Sequence, residues 1–278
     1  MRLKMRDLKN CTSVQDSTES VQTGIFAWYG FTQPFEERIE LIKKAGFDYA
    51  MLWWEDETYF EFTDRRKMPE IVNSYGLKLD NIHLPSDDTN LLWSCDKNMR
   101  EKQTAKIINW LHECSDAGAC AAVMHTSDGS GIELDLKHGF ESFSEIVKAS
   151  EDIKIRVSLE NTSMAKYTEF VLKEFESDYV GFCYDSSHDF VNGQGCGKIL
   201  NKWKHRLFNV HLSDNDGLCD RHWIPGNGIV NWNEIIRTIR ETECSTYSME
   251  VFTREDEKDM APLDFLIKAR ESLLAKLK

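Results

Sequence analysis

The chain has no Cys-x-x-Cys pair, no apolar run approaching the roughly 18 residues a membrane span requires, and no basic excess. Its eight cysteines, at 11, 95, 114, 120, 183, 196, 219 and 244, follow no disulfide-framework spacing. They read as reduced thiols, which places the expected localisation in the cytoplasm. The basic start MRLKMRDLKN runs into polar CTSVQDSTES instead of an apolar segment, so no signal peptide is expected. With 34 basic against 47 acidic residues the net charge is −13, which repels polyanions at long range and argues against a nucleic-acid partner. Average charge does not by itself exclude a local phosphate site. No dedicated phosphate motif, interdomain linker or low-complexity stretch is present.

What remains is ample material for one core. The hydrophobic fraction is 41% and the aromatic fraction 11% over 278 residues, a length that one α/β barrel fills. From Gln22 onward short apolar runs alternate with amphipathic ones, the βαβα pattern of a parallel sheet covered by helices. Strands are expected at 22–28, 47–53, 77–83, 120–125, 155–160, 179–185, 207–212 and 247–252. Helices are expected near 35–45, 64–75, 97–117, 139–151, 166–176, 197–204, 232–242 and 262–277. Gly46 and Gly76 stand where two helices should stop, and Asp96 and Asn231 where two should start. The expected architecture is a single (β/α)8 TIM barrel over 21–278, preceded by a loosely packed tail over 1–20.

In such a barrel the loops after the strands build the active site, so the last residues of each strand carry the information. Here Glu160, Asp185, His211 and Glu250 close four successive runs, IRVSLE, VGFCYD, LFNVH and TYSMEV, and converge only if those strands are parallel neighbours. Three carboxylates and one imidazole without thiolate suit Mn2+, Zn2+, Co2+ or Mg2+ and leave positions open for substrate oxygens. Glu160 and Glu250 would approach a bound carbonyl sugar from different sides, one removing a proton from carbon and the other returning one. Each residue also has a plainer reading as a strand-end polar group.

Trp28, Trp53, Trp54, His83 and His125 end other strands, and His188 follows Asp185 by three residues. The segment 211–232, HLSDNDGLCDRHWIPGNGIVNW, is too long for an economical turn and is dense in polar ligands. Asp220 and His222, two apart, can point into one site from an extended backbone. Gly226 and Gly228 permit close backbone approach.

These motifs resemble the xylose isomerase-like barrel superfamily, and most closely its sugar phosphate isomerase/epimerase group, related to endonuclease IV. The resemblance rests on NIHLP (81–85), VMHTS (123–127), ENTS (160–163), CYDSSHDF (183–190), HLSDNDG with DRHWIPGNGIVNW, and MEVF (249–252). It implies a metal held by Glu160, Asp185, His211 and Glu250, the two glutamates as acid and base, and His188 on the sugar. Arg221 is the loosest transfer, as a group for substrate oxygens.

Resemblance to endonuclease IV implies three zinc ions instead. His83, His125 and Glu160 would hold the first, Glu160, Asp185, His211 and Glu250 the second, and His188, Asp220 and His222 the third. The ligands alone therefore do not separate a sugar enzyme from an abasic-site phosphodiesterase. The weak basic footprint, limited to Arg65-Arg66-Lys67 and 198–206, favours a small sugar substrate and proton transfer through an enediolate. Dehydratase, aldolase-like and carbohydrate-binding alternatives stay open, because fold does not fix reaction. Exposed helix faces in barrels of this group often pair, so the resemblance also raises a homo-oligomer.

Overall fold

A computed structural model describes residues 21–192 and 197–278; the expected tail over 1–20, with Cys11, and Cys196 lie outside the described residues. The strands are β1 (Gln22–Phe26), β2 (Tyr49–Trp53), β3 (Lys78–His83), β4 (Ala121–His125), β5 (Arg156–Glu160), β6 (Val180–Asp185), β7 (Leu207–His211) and β8 (Thr246–Met249). From β1 to β7 each strand pairs in parallel with the next, and β1 also pairs with β8. The β7–β8 seam is closed just past the strand, where the Leu212 amide donates to the Ser248 carbonyl at 2.8 Å. The fold is a single (β/α)8 barrel.

Helices cover both the sheet and its connections: α1 (Phe35–Lys44), α2 (Met68–Ser74), α3 (Lys97–Asp116), α4 (Leu136–Ile153), α5 (Ala165–Glu174), α6 (Ser186–Asn192), α7 (Lys198–Trp203), α8 (Trp232–Ile239) and α9 (Pro262–Lys276). A strand covered on both sides has no solvent face, so β6 is buried at all its positions and reads as a continuous run. The helices show the other period: Trp232, Ile235, Ile236 and Ile239 form the buried stripe of α8. Among the described residues no helix is long and apolar enough to cross a membrane. The six described cysteines are unbridged.

Local signals acted as expected at three helix ends. Asp96 caps α3 by accepting from the Asn98 and Met99 amides, and Gly46 and Gly76 take left-handed φ of 89° and 72°. Asn231 precedes α8 but makes no capping hydrogen bond. The expected helix over 64–75 is split into a tight 3-10 turn, Arg65–Lys67, and α2, with Pro69 inside the first turn. Helix α6 was not anticipated, because SSHDFVN lacks an amphipathic period; Asp185 starts it by accepting the His188 amide at 2.6 Å.

Which side chains face the barrel interior follows from bonds that skip a strand. Ser158 on β5 donates to Asn209 on β7 at 2.6 Å, and Ser248 on β8 to Asp80 on β3 at 2.7 Å. Neither pair sits on adjacent strands, so both bonds cross the lumen. Outside it, α4 packs so closely on Trp93 that a Cβ at Gly139 would meet the indole at 1.9 Å. Trp93 is itself anchored by its indole N–H on the Thr126 carbonyl at 2.7 Å. Gly139→Ala is therefore expected to destabilise the fold by about 1–3 kcal/mol through overpacking. Urea unfolding should show a lower midpoint at unchanged slope, and an unchanged midpoint would contradict this packing.

Candidate functional site

Parallel pairing sets the strand ends level: His125 lies in register with Glu160, and Asp185 with His211. Glu160 then reaches across the lumen from β5. Its Oε2 lies 2.8 Å from His83 Nε2 and 3.3 Å from His125 Nε2, and its Oε1 lies 3.1 Å from His211 Nδ1 and 3.6 Å from His188 Nδ1. His211 Nδ1 is also 3.0 Å from Glu250 Oε2. The ligand atoms of Glu160, Asp185, His211 and Glu250 all fall within 4.8 Å of one another. The same spacing holds for three further sets: His83, Glu160 and His211; His125, Glu160 and His188; and Asp185, His188 and His222.

Asp220 joins the outer edge. Its Oδ2 lies 3.2 Å from His188 Nε2 and 3.0 Å from His222 Nε2, while Ser187 donates to its Oδ1 at 2.6 Å. His222 holds this position in a left-handed backbone conformation, φ 49°, a strained state for a residue with a Cβ. Nine of the ten ionisable residues singled out in the sequence thus form one continuous array. Arg221 turns elsewhere: its guanidinium pairs with Asp216 at 3.0 Å and lies over the Trp223 ring.

The long loop after β7 is held by Asp214, a buried residue absent from the sequence-level candidates. Its carboxylate accepts from the Gly226 amide at 2.7 Å, the Val230 amide at 3.0 Å and the Trp232 indole at 2.9 Å. Gly228 passes so close that a Cβ there would stand 2.1 Å from the Asn215 carbonyl oxygen. Asn161 was also missed. It brackets the Asp185 backbone, accepting from the amide at 2.9 Å and donating to the carbonyl at 2.8 Å, while its own carbonyl meets His188 Nδ1 at 2.9 Å. An amide side chain directly after a strand-end glutamate was the available signal.

Electrostatics fit a divalent cation. Burial pushes the Asp185 carboxyl up to about 6, with the Glu160 and Glu250 charges adding to the rise and His188 and His222 opposing it. Its Oδ2 is buried without a hydrogen-bond partner. Burial acts on Glu250 in the same sense, but the His211 hydrogen bond and the His222 charge outweigh it and hold the group at about 2. Burial lowers the His211 and His222 imidazoles, yet Cys183 and Glu160 hold His211 well above the ordinary histidine value. Asp185 and Asp220 similarly hold His222 at about 9. Clustered anionic oxygens, one of them unpartnered, balanced by protonated imidazoles are what a cation can replace.

The xylose isomerase-like TIM barrel family model matches residues 39–269. The chain belongs to that family. Among curated relatives, the uncharacterized protein MJ1311 of Methanocaldococcus jannaschii is 22% identical over 259 residues, covering 87% of this chain and 85% of the relative. The uncharacterized protein y4fM of Sinorhizobium fredii is 27% identical over 113 residues, 38% of this chain and 36% of its own length. Among solved structures, a D-tagatose 3-epimerase-like protein superposes with a TM-score of 0.73 at 21% identity, covering 92% of this chain and 97% of that one. The IolI protein with a bound zinc atom gives 0.74 at 15% identity, covering 92% and 98%.

A proton-linked metal affinity follows from the raised histidines. An imidazole must be neutral to ligate, and both His211 and His222 bind protons more tightly than a free histidine, so they carry protons at pH 7 that a cation must displace. Apparent Zn2+ affinity is expected to rise as pH increases from 6 to 8. Calorimetric titration in buffers of different ionisation enthalpy should register proton release, and a buffer-independent heat would contradict the assignment.

Proposed function

We propose that the chain is a divalent-metal-dependent sugar isomerase or epimerase working by proton transfer through an enediolate. The observation that carries this reading is the convergence of Glu160, Asp185, His211 and Glu250 within 4.8 Å at the open end of the barrel. Those four would hold the principal cation, which when bound supplies Lewis acidity toward a substrate carbonyl and the negative charge that develops on its oxygens. The similarity to a D-tagatose 3-epimerase-like protein supports a ketose-type substrate, and the zinc atom bound by the IolI protein supports a metal-binding reading.

The protein side of the chemistry falls to two carboxylates. Glu250 is ionised at neutral pH and borders the cavity described below, so it can take a proton from the carbon next to the carbonyl. The electron pair left behind moves into the carbon–carbon bond of the enediolate. Glu160, ionised at rest, takes up a proton from the exchangeable N–H groups that His83, His125 and His211 set beside its oxygens and delivers it from across the mouth, while Glu250 releases the abstracted proton to solvent. His188 and His222, both tied through Nε2 to Asp220, would exchange that partner for substrate hydroxyls.

A second reading has its own observation. The array extends beyond one cation's needs, since His83, His125, His188, Asp220 and His222 complete the donor sets expected of a trinuclear phosphodiesterase. Three measurements test the site and separate the readings. Asp185→Ala and His211→Ala should lose bound metal by elemental analysis, with full occupancy in both contradicting the site. In heavy water the wild type should place deuterium beside the carbonyl of a ketose, and Glu160→Gln or Glu250→Gln should reduce that exchange far more than sugar binding. Product without solvent deuterium would sink the enediolate, and zinc-dependent incision at abasic sites that disappears in His222→Ala would replace the isomerase reading with the phosphodiesterase.

A further inference from the structure

Beside the metal ligands, between the ends of β1 and β2, lies a cavity of about 460 Å³ that Glu250 borders. Trp28, Trp53, Tyr59 and Phe252 supply aromatic walls. Trp53 stacks on His83 with ring centroids 4.8 Å apart, which joins the cavity to the cluster on that side as well. A substrate reacting at the cluster has this space for its remaining carbons, and aromatic faces suit the C–H faces of a polyol.

The charges of this cavity are one-sided. Glu55, Asp56 and Glu57 line it, and Arg38 is the one Lys or Arg among its lining residues. Arg38, from α1, is fully buried beneath the Trp28 ring, 5.1 Å from its centroid. One guanidinium nitrogen donates to the Ala27 carbonyl at 2.8 Å, another is ion-paired with Glu57, and Nε is buried without a partner. Glu57 is brought there by a small hairpin after β2, where its backbone exchanges hydrogen bonds with Thr63 at 3.0 and 2.9 Å. A buried guanidinium in an aromatic pocket would otherwise be a strong fork for a phosphate or carboxylate. Here a carboxylate of the protein already occupies it, and two more stand nearby.

We infer that this cavity selects an uncharged sugar over its phosphate ester, and that Glu57 sets the selection by neutralising Arg38. The inference rests on the sugar-enzyme reading for its substrate and adds the substrate's charge class and a specificity residue. A phosphate entering the wild-type cavity meets carboxylates and a cation already compensated, so its desolvation goes unrepaid. Removing the Glu57 charge leaves the Arg38 charge uncompensated in the cavity wall, free to favour an anionic ligand.

The test uses zinc-loaded full-length protein, with D-fructose and D-fructose 6-phosphate as probes followed by tryptophan fluorescence. Wild type is expected to favour the free ketose, and Glu57→Gln to shift the ratio of affinities toward the phosphate ester by about tenfold, the scale of one charge-assisted contact. The double variant Arg38→Gln/Glu57→Gln should lose that shift, and thermal melting of each variant separates a recognition effect from unfolding. Preference for the phosphate ester in wild type, binding of neither ketose, an unchanged ratio in folded Glu57→Gln, or a shift that persists in the double variant would overturn the inference. Absence of deuterium exchange with normal sugar binding would sink the isomerase reading alone and leave this one standing.

Discussion

Glu160 is a fully buried carboxylate held well below its ordinary pKa, and the mouth of the barrel is organised around that charge. Burial by itself raises the group, and an uncompensated anion in such a place costs several kcal/mol. His211, His125 and His83 reverse the balance by charge and hydrogen bonding, and they reach Glu160 from β7, β4 and β3. Only a closed parallel sheet brings those strand ends to one level around a common interior. The ionic centre and the barrel are therefore mutually dependent, the first needing the second's geometry and the second needing the first's neutralisation.

Much of this was legible because the barrel writes its inside on its strand ends. A run such as VGFCYD is apolar until the residue that clears the lumen, so an ionisable group at that point is visible without coordinates; His125 and Asp185 fit this pattern, whereas His83, Glu160 and His211 close runs already broken by polar residues such as Asp80, Arg156 and Asn209 and were legible from their place at the strand end. Asp220 and His222 were readable from the density of ligands in an overlong loop. Arg38 was not, since an arginine within the amphipathic FEERIELIKK looks like any solvent-facing helix residue. Its partner Glu57 belongs to a hairpin after β2, and nothing in the local sequence announces a contact 19 residues away. Helix α6 escaped for a related reason: it begins on a hydrogen bond to Asp185, whose strand-end position suggested a ligand and concealed a capping role. No glycine marks the left-handed turn at His222.

The donor array and the neighbouring cavity place different demands on a ligand. The array alone accommodates either an oxygen-rich sugar or a phosphodiester, because both present hard oxygens to hard or borderline cations. The cavity is narrower in what it welcomes, with aromatic faces for carbon and carboxylates against anions. On the proposed reading, reaction type and substrate choice reside in separate parts of one mouth, the first on strand ends and the second on the β1 and β2 loops.

Asp214 carries a consequence for how such a barrel changes over generations. One carboxylate fastens Gly226, Val230 and Trp232, and the Asp214 and Trp223 backbones exchange hydrogen bonds with each other, so both ends of the loop are fixed without help from residues 216–221. That stretch can accept or shed donors such as Asp220 while its frame stays put. Lineages descending from one scaffold are thereby free to trade cations and chemistries in this segment at little risk to folding, and drift there should outpace drift at its anchors.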